Sequence, residues 1–158
     1  MRRFAEHTTV AVDRSVAEIK STIQRYGATH FAFIETPDSS CVEFICNDRR
    51  IRFILPLPSA SDKRFTQTPG RGKQRSADQA YVAWEQACRQ RWRALNLAIK
   101  AKLEAVTSGI SEFESEFLAF IVDPVSGHTV GEIIRPKLQS IYANGTGQLL
   151  LTSEAKKK

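Results

Sequence analysis

The stretch from Ser76 to Gly109 constrains this chain more than any other. Ser76-Ala77-Asp78-Gln79 has the spacing of a capping box, in which the serine oxygen accepts from a free helix N–H and the glutamine reaches back to the cap. A helical pattern then runs to about Thr107, and Gly109 supplies a stop. Such a helix is roughly 45 Å long at about 1.5 Å per residue. On a helical wheel Trp84, Ala87, Cys88, Leu95, Ala98, Ile99, Leu103 and Val106 share an apolar face. Arg89, Arg93, Asn96 and Lys100 form a stripe on the other side, and Trp92 lies beside that stripe. Arg91 and Lys102 fall within the apolar face. They either snorkel from the edge of the core, line a groove, or pair with the acids of 112–116.

Upstream of the helix the periodicity changes. Thr8 to Val12 is short and β-branched, which predicts a strand. Ser15-Val16-Ala17-Glu18 has capping-box spacing, Val16, Ile19, Ile23 and Tyr26 repeat at helical intervals, and Gly27 ends the pattern. Thr29 to Glu35 is a strand candidate, followed by turn chemistry at 36–40. Cys41 to Cys46 and Ile51 to Leu57 are apolar runs separated by Asn47-Asp48-Arg49-Arg50, which predicts a β-hairpin. In the second run Ile51, Phe53 and Leu55 share one face, while Arg50 and Arg52 share the other. Pro56 and Pro58 end it.

Residues 59–75 show no periodicity. They carry five basic residues against one aspartate, a net +4, with Gly70 and Gly72 among them. Loops this long inside a domain are usually functional or disordered. Downstream of the long helix, Ser111 to Glu114 is a third capping box, and Phe113, Phe117, Phe120 and Ile121 describe a short amphipathic helix with an acidic outer side. Thr129 to Glu132 is a fourth box, opening a helix to about Tyr142 that Pro136 should kink or divide and Asn144-Gly145 should stop. The expected fold is α+β: a small antiparallel sheet of three to four strands, packed by one long helix and two to three shorter ones. Residues 1–150 are expected to form a single domain, and 151–158, ending Lys156-Lys157-Lys158, a frayed basic tail.

A chain of 158 residues with 42% hydrophobic residues can build a real core. The two arginines near the start are not followed by an apolar run, so no signal peptide is expected, and no stretch is long enough to span a bilayer. Cys41, Cys46 and Cys88 make no even framework and are read as reduced thiols, which places the protein in a cytoplasm. The net charge of +6 favours anionic partners, which are nucleic acid (DNA is expected), an acidic protein surface or anionic lipid; the plain alternative is a protein that is merely basic.

The motifs of catalysis do not assemble. Around Gly72-Lys73, Gln67 stands where a phosphate-gripping loop needs its first glycine and Gln74 where it needs a hydroxyl. Cys41 and Cys46 are five apart on a strand and point to opposite faces, so no zinc site or other metal site is expected. His7, His30 and His128 sit in separate elements without a positioned partner. Asp38 followed by Glu43 resembles the opening of a nuclease motif, but Ile45 stands where its lysine belongs. No catalytic residue, no cofactor and no enzymatic activity are therefore expected. What remains is a cationic set that suits phosphate oxygens: Arg50 and Arg52 on the sheet, Lys63, Arg64, Arg71, Lys73 and Arg75 in the loop, and Arg89 and Arg93 on the helix. Phe65 and Trp92 offer stacking surfaces for unpaired bases. The plain alternative is a solvated face, with Trp92 packed on a neighbour.

Two runs carry a resemblance. Arg14-Ser15, Glu18-Ile19, Arg25-Tyr26-Gly27-Ala28 and Arg50 to Pro58 form one, and Glu85 to Leu95 with Ile99 to Glu104 forms the other. Together they resemble an uncharacterised family common in phages and mobile elements. The resemblance implies such an origin and supplies no activity and no catalytic residue. A sheet followed by a long helix is also similar in topology to the core of single-strand annealing proteins, without a shared motif. The expectation is thus a phage- or mobile-element-linked accessory protein that binds nucleic acid, including single-stranded DNA, in replication, recombination or repair. The alternative is an interaction module, or an inhibitor of a host or viral nucleic-acid-binding protein.

Overall fold

The computed structural model describes residues 9–36 and 38–143. In chain order it contains α1 (Val12–Arg25), β1 (His30–Glu35), β2 (Ser39–Cys46), β3 (Arg49–Pro56), α2 (Lys63–Thr66), α3 (Ala77–Thr107), α4 (Phe113–Phe117), a 3-10 turn (Leu118–Phe120) and α5 (Val130–Ala143). The fold is α+β, with a three-stranded antiparallel sheet in the order β1-β2-β3. The expectations for Thr8, the stop at Asn144-Gly145 and the tail lie outside the described residues.

The predicted first strand is not there: residues 9–11 are irregular and Val12 already begins α1. The Ser15 capping box is absent for the same reason. The apolar stripe starts at Val12, which packs against the core, so the helix begins ahead of Ser15. Ser15 is buried within the helix, and its Oγ donates to the Ala11 carbonyl at 3.4 Å.

The hairpin turn is tighter than predicted. Asn47 and Asp48 take φ values of 49° and 57°, which makes a two-residue turn with Cys46 opposite Arg49. Arg49 and Arg50 therefore belong to β3, and Glu43 stands directly opposite Arg52. Val42, Phe44, Cys46, Ile51 and Phe53 are buried on one face, as the alternation predicts.

Against that face α3 lays Trp92, Leu95, Ile99 and Leu103, and α1 adds Ile19 and Ile23. The buried side of α3 is rotated from the predicted one. Trp92 is 1% exposed, in edge contact with Phe33 at 5.3 Å, and Asn96 is 6% exposed, whereas Ala98 is exposed. The cause is α1, which packs beside α3 and covers part of the stripe. The Ser76–Gln79 capping box is formed with both reciprocal bonds, and the Ile110 N–H closes α3 on the Ala105 carbonyl.

Phe113 and Phe117 of α4 fill the far end of the core, stacked at 4.7 Å, with Phe117 also edge-on to Phe44 and Phe53. The predicted Ser111 box does not form, since Glu112 is the N-cap, without a side-chain bond, and the Ser111 Oγ turns to the Glu112 carbonyl. Lys102 reaches Glu116 at 3.0 Å and lies over the Phe117 and Phe120 rings, which settles it as a pair with the acidic segment. Arg91 donates to the Pro56 carbonyl at the end of β3.

The chain then runs along the edge of β3, where Val122 N–H donates to the Arg50 carbonyl at 2.8 Å. The Thr129–Glu132 box opens α5. Pro136 does not divide α5, because its missing N–H falls in an exposed stretch where solvent can serve the orphaned carbonyl. Among the described residues no helix is long and apolar enough to cross a membrane.

Candidate nucleic-acid interface

The sequence offers a candidate set of nine cations and two stacking rings, and the structure separates them by what each already touches. Arg50 and Arg52 converge on Glu43, a carboxylate only 8% exposed. Arg50 Nε donates to one carboxylate oxygen and its Nη2 to the other at 3.2 Å; Arg52 Nη2 approaches that second oxygen at 3.3 Å. The Arg52 Nη1 donates to the Gly127 carbonyl at 2.7 Å and so ties the segment before α5 to the sheet. Hydrogen bonding from Arg50 holds the Glu43 carboxyl below the usual range, against the upward push of burial, and Arg52 adds to the effect. These two arginines share one buried acid, which leaves a single positive charge on the cluster, at the half-exposed Arg50 side. The same interactions occupy the carboxylate that, with Asp38, resembles a nuclease motif.

Two cations of the helix stripe, Arg89 and Arg93, are compensated in the same way. Arg89 pairs with Glu85 at 2.8 Å. Arg93 donates to Glu18 of α1, and Asn96 Nδ2 reaches the same oxygen at 2.8 Å. Burial pushes the Glu18 carboxyl up, but hydrogen bonds and charge from Arg93 and Arg14 pull it down further, so it lies below its usual range. Neither predicted stacking ring is available. Trp92 is in the core, and Phe65 is 5% exposed, with the Arg64 guanidinium 4.6 Å above its ring.

The segment 59–75 is not the structureless loop that its lack of periodicity predicts. Trp84 Nε1 donates to the Pro58 carbonyl at 2.7 Å and fixes the entry. Asp62 caps the one-turn helix α2 by accepting from the Arg64 N–H at 3.0 Å, and Phe65 plugs that turn into the protein. A small antiparallel hairpin follows. Gln67 bridges Gln74, and Thr68 N–H donates to the Lys73 carbonyl at 2.8 Å. Its tip turns through Gly70 and Gly72, at φ 81° and 60°, a region that disfavours residues with a Cβ. The Pro69-Gly70 dipeptide is a turn signal that marks this hairpin in the sequence. Arg75 N–H donates to the Thr66 carbonyl at 2.8 Å, and the Arg75 guanidinium reaches the Phe65 carbonyl at 3.1 Å.

Two of the five basic residues of this finger are therefore structural. Arg75 braces it, and Arg64 pairs with Asp62 at 3.0 Å while covering Phe65. Lys63, Arg71 and Lys73 are exposed and make no ion pair with a described acid. Of the expected set, these three are the cations that the fold leaves to solvent on a braced support. The finger leans over the first turns of α3, and an open cleft of about 640 Å³ between them is lined by Thr68, Arg75, Asp78, Gln79 and Val82.

The described histidines and cysteines form no cluster that could hold a metal ion. His30 Nδ1 lies 2.9 Å from the Thr29 hydroxyl, and His7 is outside the described residues. Burial raises the thiols of Cys41, Cys46 and Cys88 above their ordinary range. Among the described residues no group of three or more His, Cys, Asp and Glu side chains could hold a metal ion. Comparison with known proteins adds nothing to this geometry: no family model matches the chain, and no curated protein or solved structure matches it either.

Proposed function

We propose that this chain is a nucleic-acid-binding accessory protein that grips backbone phosphates with the finger at 62–75. The observation that carries the reading is the contrast between compensated and uncompensated charge. Arg50 and Arg52 share Glu43, and Arg89 and Arg93 face Glu85 and Glu18, whereas Lys63 of α2 and Arg71 and Lys73 of the hairpin after it have no ion pair with a described acid. Holding a cation away from acids on a stiff support preserves its charge for a ligand and lowers the ordering cost of binding. DNA is the expected polymer, and a role in replication, recombination or repair within a phage or mobile element rests on the resemblance carried by the two sequence runs. Fluorescence anisotropy of labelled DNA at 50 and 200 mM salt tests the reading, since binding through phosphates weakens steeply with salt. Binding that ignores salt, or no binding at 50 mM, would sink it.

A second reading, an interaction module for another protein, draws on α5. Its Ile133, Ile134 and Leu138 are 40–49% exposed and Tyr142 is 73% exposed. A pull-down from nuclease-treated lysate, compared with an Ile134→Asp, Leu138→Asp variant, separates the two. A partner that survives nuclease and no longer binds the variant favours this second reading.

A further inference from the structure

A second cationic groove lies between α1 and the later turns of α3. It has a volume of about 280 Å³, and Glu18, Thr22, Arg25, Arg93, Asn96 and Lys100 are among the residues that line it. Glu18 is already engaged by Arg14, Arg93 and Asn96. Arg25 and Lys100 are exposed and have no ion pair with a described acid, so the groove keeps an excess of positive charge.

Its position relative to the finger is set by α3. At about 100° per residue, Gln79, Val82 and Gln86, which line the finger's cleft, lie on the same side of α3 as Arg93, Leu97 and Lys100, which line the groove. Val82 and Lys100 are roughly 27 Å apart along the axis. Phosphates along one strand of a duplex advance about 3.4 Å per base pair, so that span corresponds to about eight base pairs. Acids near this side are few: Glu85 holds Arg89, and Glu104, one turn beyond Lys100, accepts from the Tyr26 hydroxyl at 2.5 Å and keeps its charge. Asp78 lies in the finger's own cleft beside Arg75.

The aromatic rings point to the form of the polymer. Phe65 and Trp92 are buried, and Tyr81, the exposed ring of α3, lies about a third of a turn away from this side and packs on Trp84 at 5.6 Å. Tyr26, half-buried at the far end, has its hydroxyl turned to Glu104. A track with phosphate donors at both ends and no exposed ring between them among the described residues matches a paired backbone rather than splayed bases. We infer that the α1–α3 groove is a second phosphate-binding station and that, with the finger, it holds double-stranded nucleic acid along α3 over about eight base pairs. This inference rests on the nucleic-acid reading of the finger.

The test is anisotropy with DNA stem-loops of six and fourteen base pairs, and single-stranded DNA alongside, for three proteins: the parent, Arg25→Ser with Lys100→Ser, and Lys63→Ser with Arg71→Ser and Lys73→Ser. The finger variant weakens binding to both stems. The groove variant weakens the long stem, flattens its salt dependence by almost two in log–log slope (about 0.9 per cation), and changes the short stem less than about twofold, because a short stem cannot bridge the stations. A groove variant that leaves both stems unchanged overturns the inference while the finger reading stands. Equal weakening of both stems overturns the span, and tighter binding of single strands overturns the duplex assignment. If the parent protein binds no DNA, the finger reading fails and the inference fails with it.

Discussion

Replacing Arg52 with Ser separates a structural cation from a ligand-binding one. The side chain is 19% exposed, and its guanidinium makes two charge-assisted interactions, with the Gly127 carbonyl at 2.7 Å and with Glu43 at 3.3 Å. Hydrogen bonds of this kind contribute about 1.5–3 kcal/mol when the partner is charged. The Glu43 interaction counts for less, because Arg50 remains to hold the carboxylate, but Arg50 is itself half exposed and yields readily to solvent. The expected loss is about 2–3 kcal/mol, or roughly 4–12 °C in Tm for a chain of this size. The pH dependence follows from the sign of the Glu43 shift. Its folded carboxyl is held below the usual value, so the cluster's contribution is fully present above the ordinary carboxylate pKa of about 4.3 and is lost as pH falls through the depressed value. The thermal melt of Glu43→Gln therefore diverges from the parent's most near pH 7 and converges with it as pH falls below about 4.3 and through the depressed value, whereas Arg52→Ser keeps at low pH the part of its loss that comes from the Gly127 carbonyl. DNA affinity measured well below either Tm keeps its salt slope in Arg52→Ser. A variant with an unchanged Tm and a salt slope flattened by about one would refute the reasoning and return Arg52 to the phosphate-binding set.

Two further outcomes follow from packing. A Cβ at Gly131 would stand 2.7 Å from the Ala119 carbonyl oxygen, a backbone atom that cannot swing aside; Gly131→Ala should lower stability by about 1–3 kcal/mol in a denaturant melt despite alanine's better helix propensity, and a stabilised variant would contradict the close approach of α5 to the 3-10 turn. In a Trp84→Phe protein, the remaining Trp92 should emit in the blue, resist acrylamide and stay unchanged when DNA is added, whereas quenching by DNA would place Trp92 in the interface after all.

The parts legible in the sequence are those fixed by local chemistry. The α3 boundaries follow from the Ser76 box and Gly109, and the buried face of the hairpin follows from alternation through Ile51 and Phe53. The parts that are not legible depend on which element lies alongside which. A four-residue turn at 47–50 would put Cys46 opposite Ile51 and Glu43 opposite Ile54; the two-residue turn at Asn47-Asp48 shifts the register and delivers Arg52 to Glu43 instead. Trp92 sits at the border of the apolar face of α3, and the elements packed around it, including Phe33 of β1, make it core. Arg93 and Asn96 meet Glu18 across the same helix pair, from far away in sequence. The finger escapes a reading by periodicity because its order comes from single anchors, Phe65, Asp62 and the Gln67–Gln74 bridge, and none of these produces a period.

The salt dependence of DNA binding by Lys63→Ser, Arg71→Ser, Lys73→Ser tests the central claim most directly. All three side chains are exposed, so the variant should melt within about 0.5 kcal/mol per substitution of the parent. For a duplex, the log–log slope of affinity against salt should flatten by about 2.7, roughly 0.9 for each phosphate-bound cation removed, with the affinity at 50 mM salt reduced accordingly. A folded variant that binds DNA with the parent's affinity and slope would contradict the claim that this finger is where the protein meets nucleic acid.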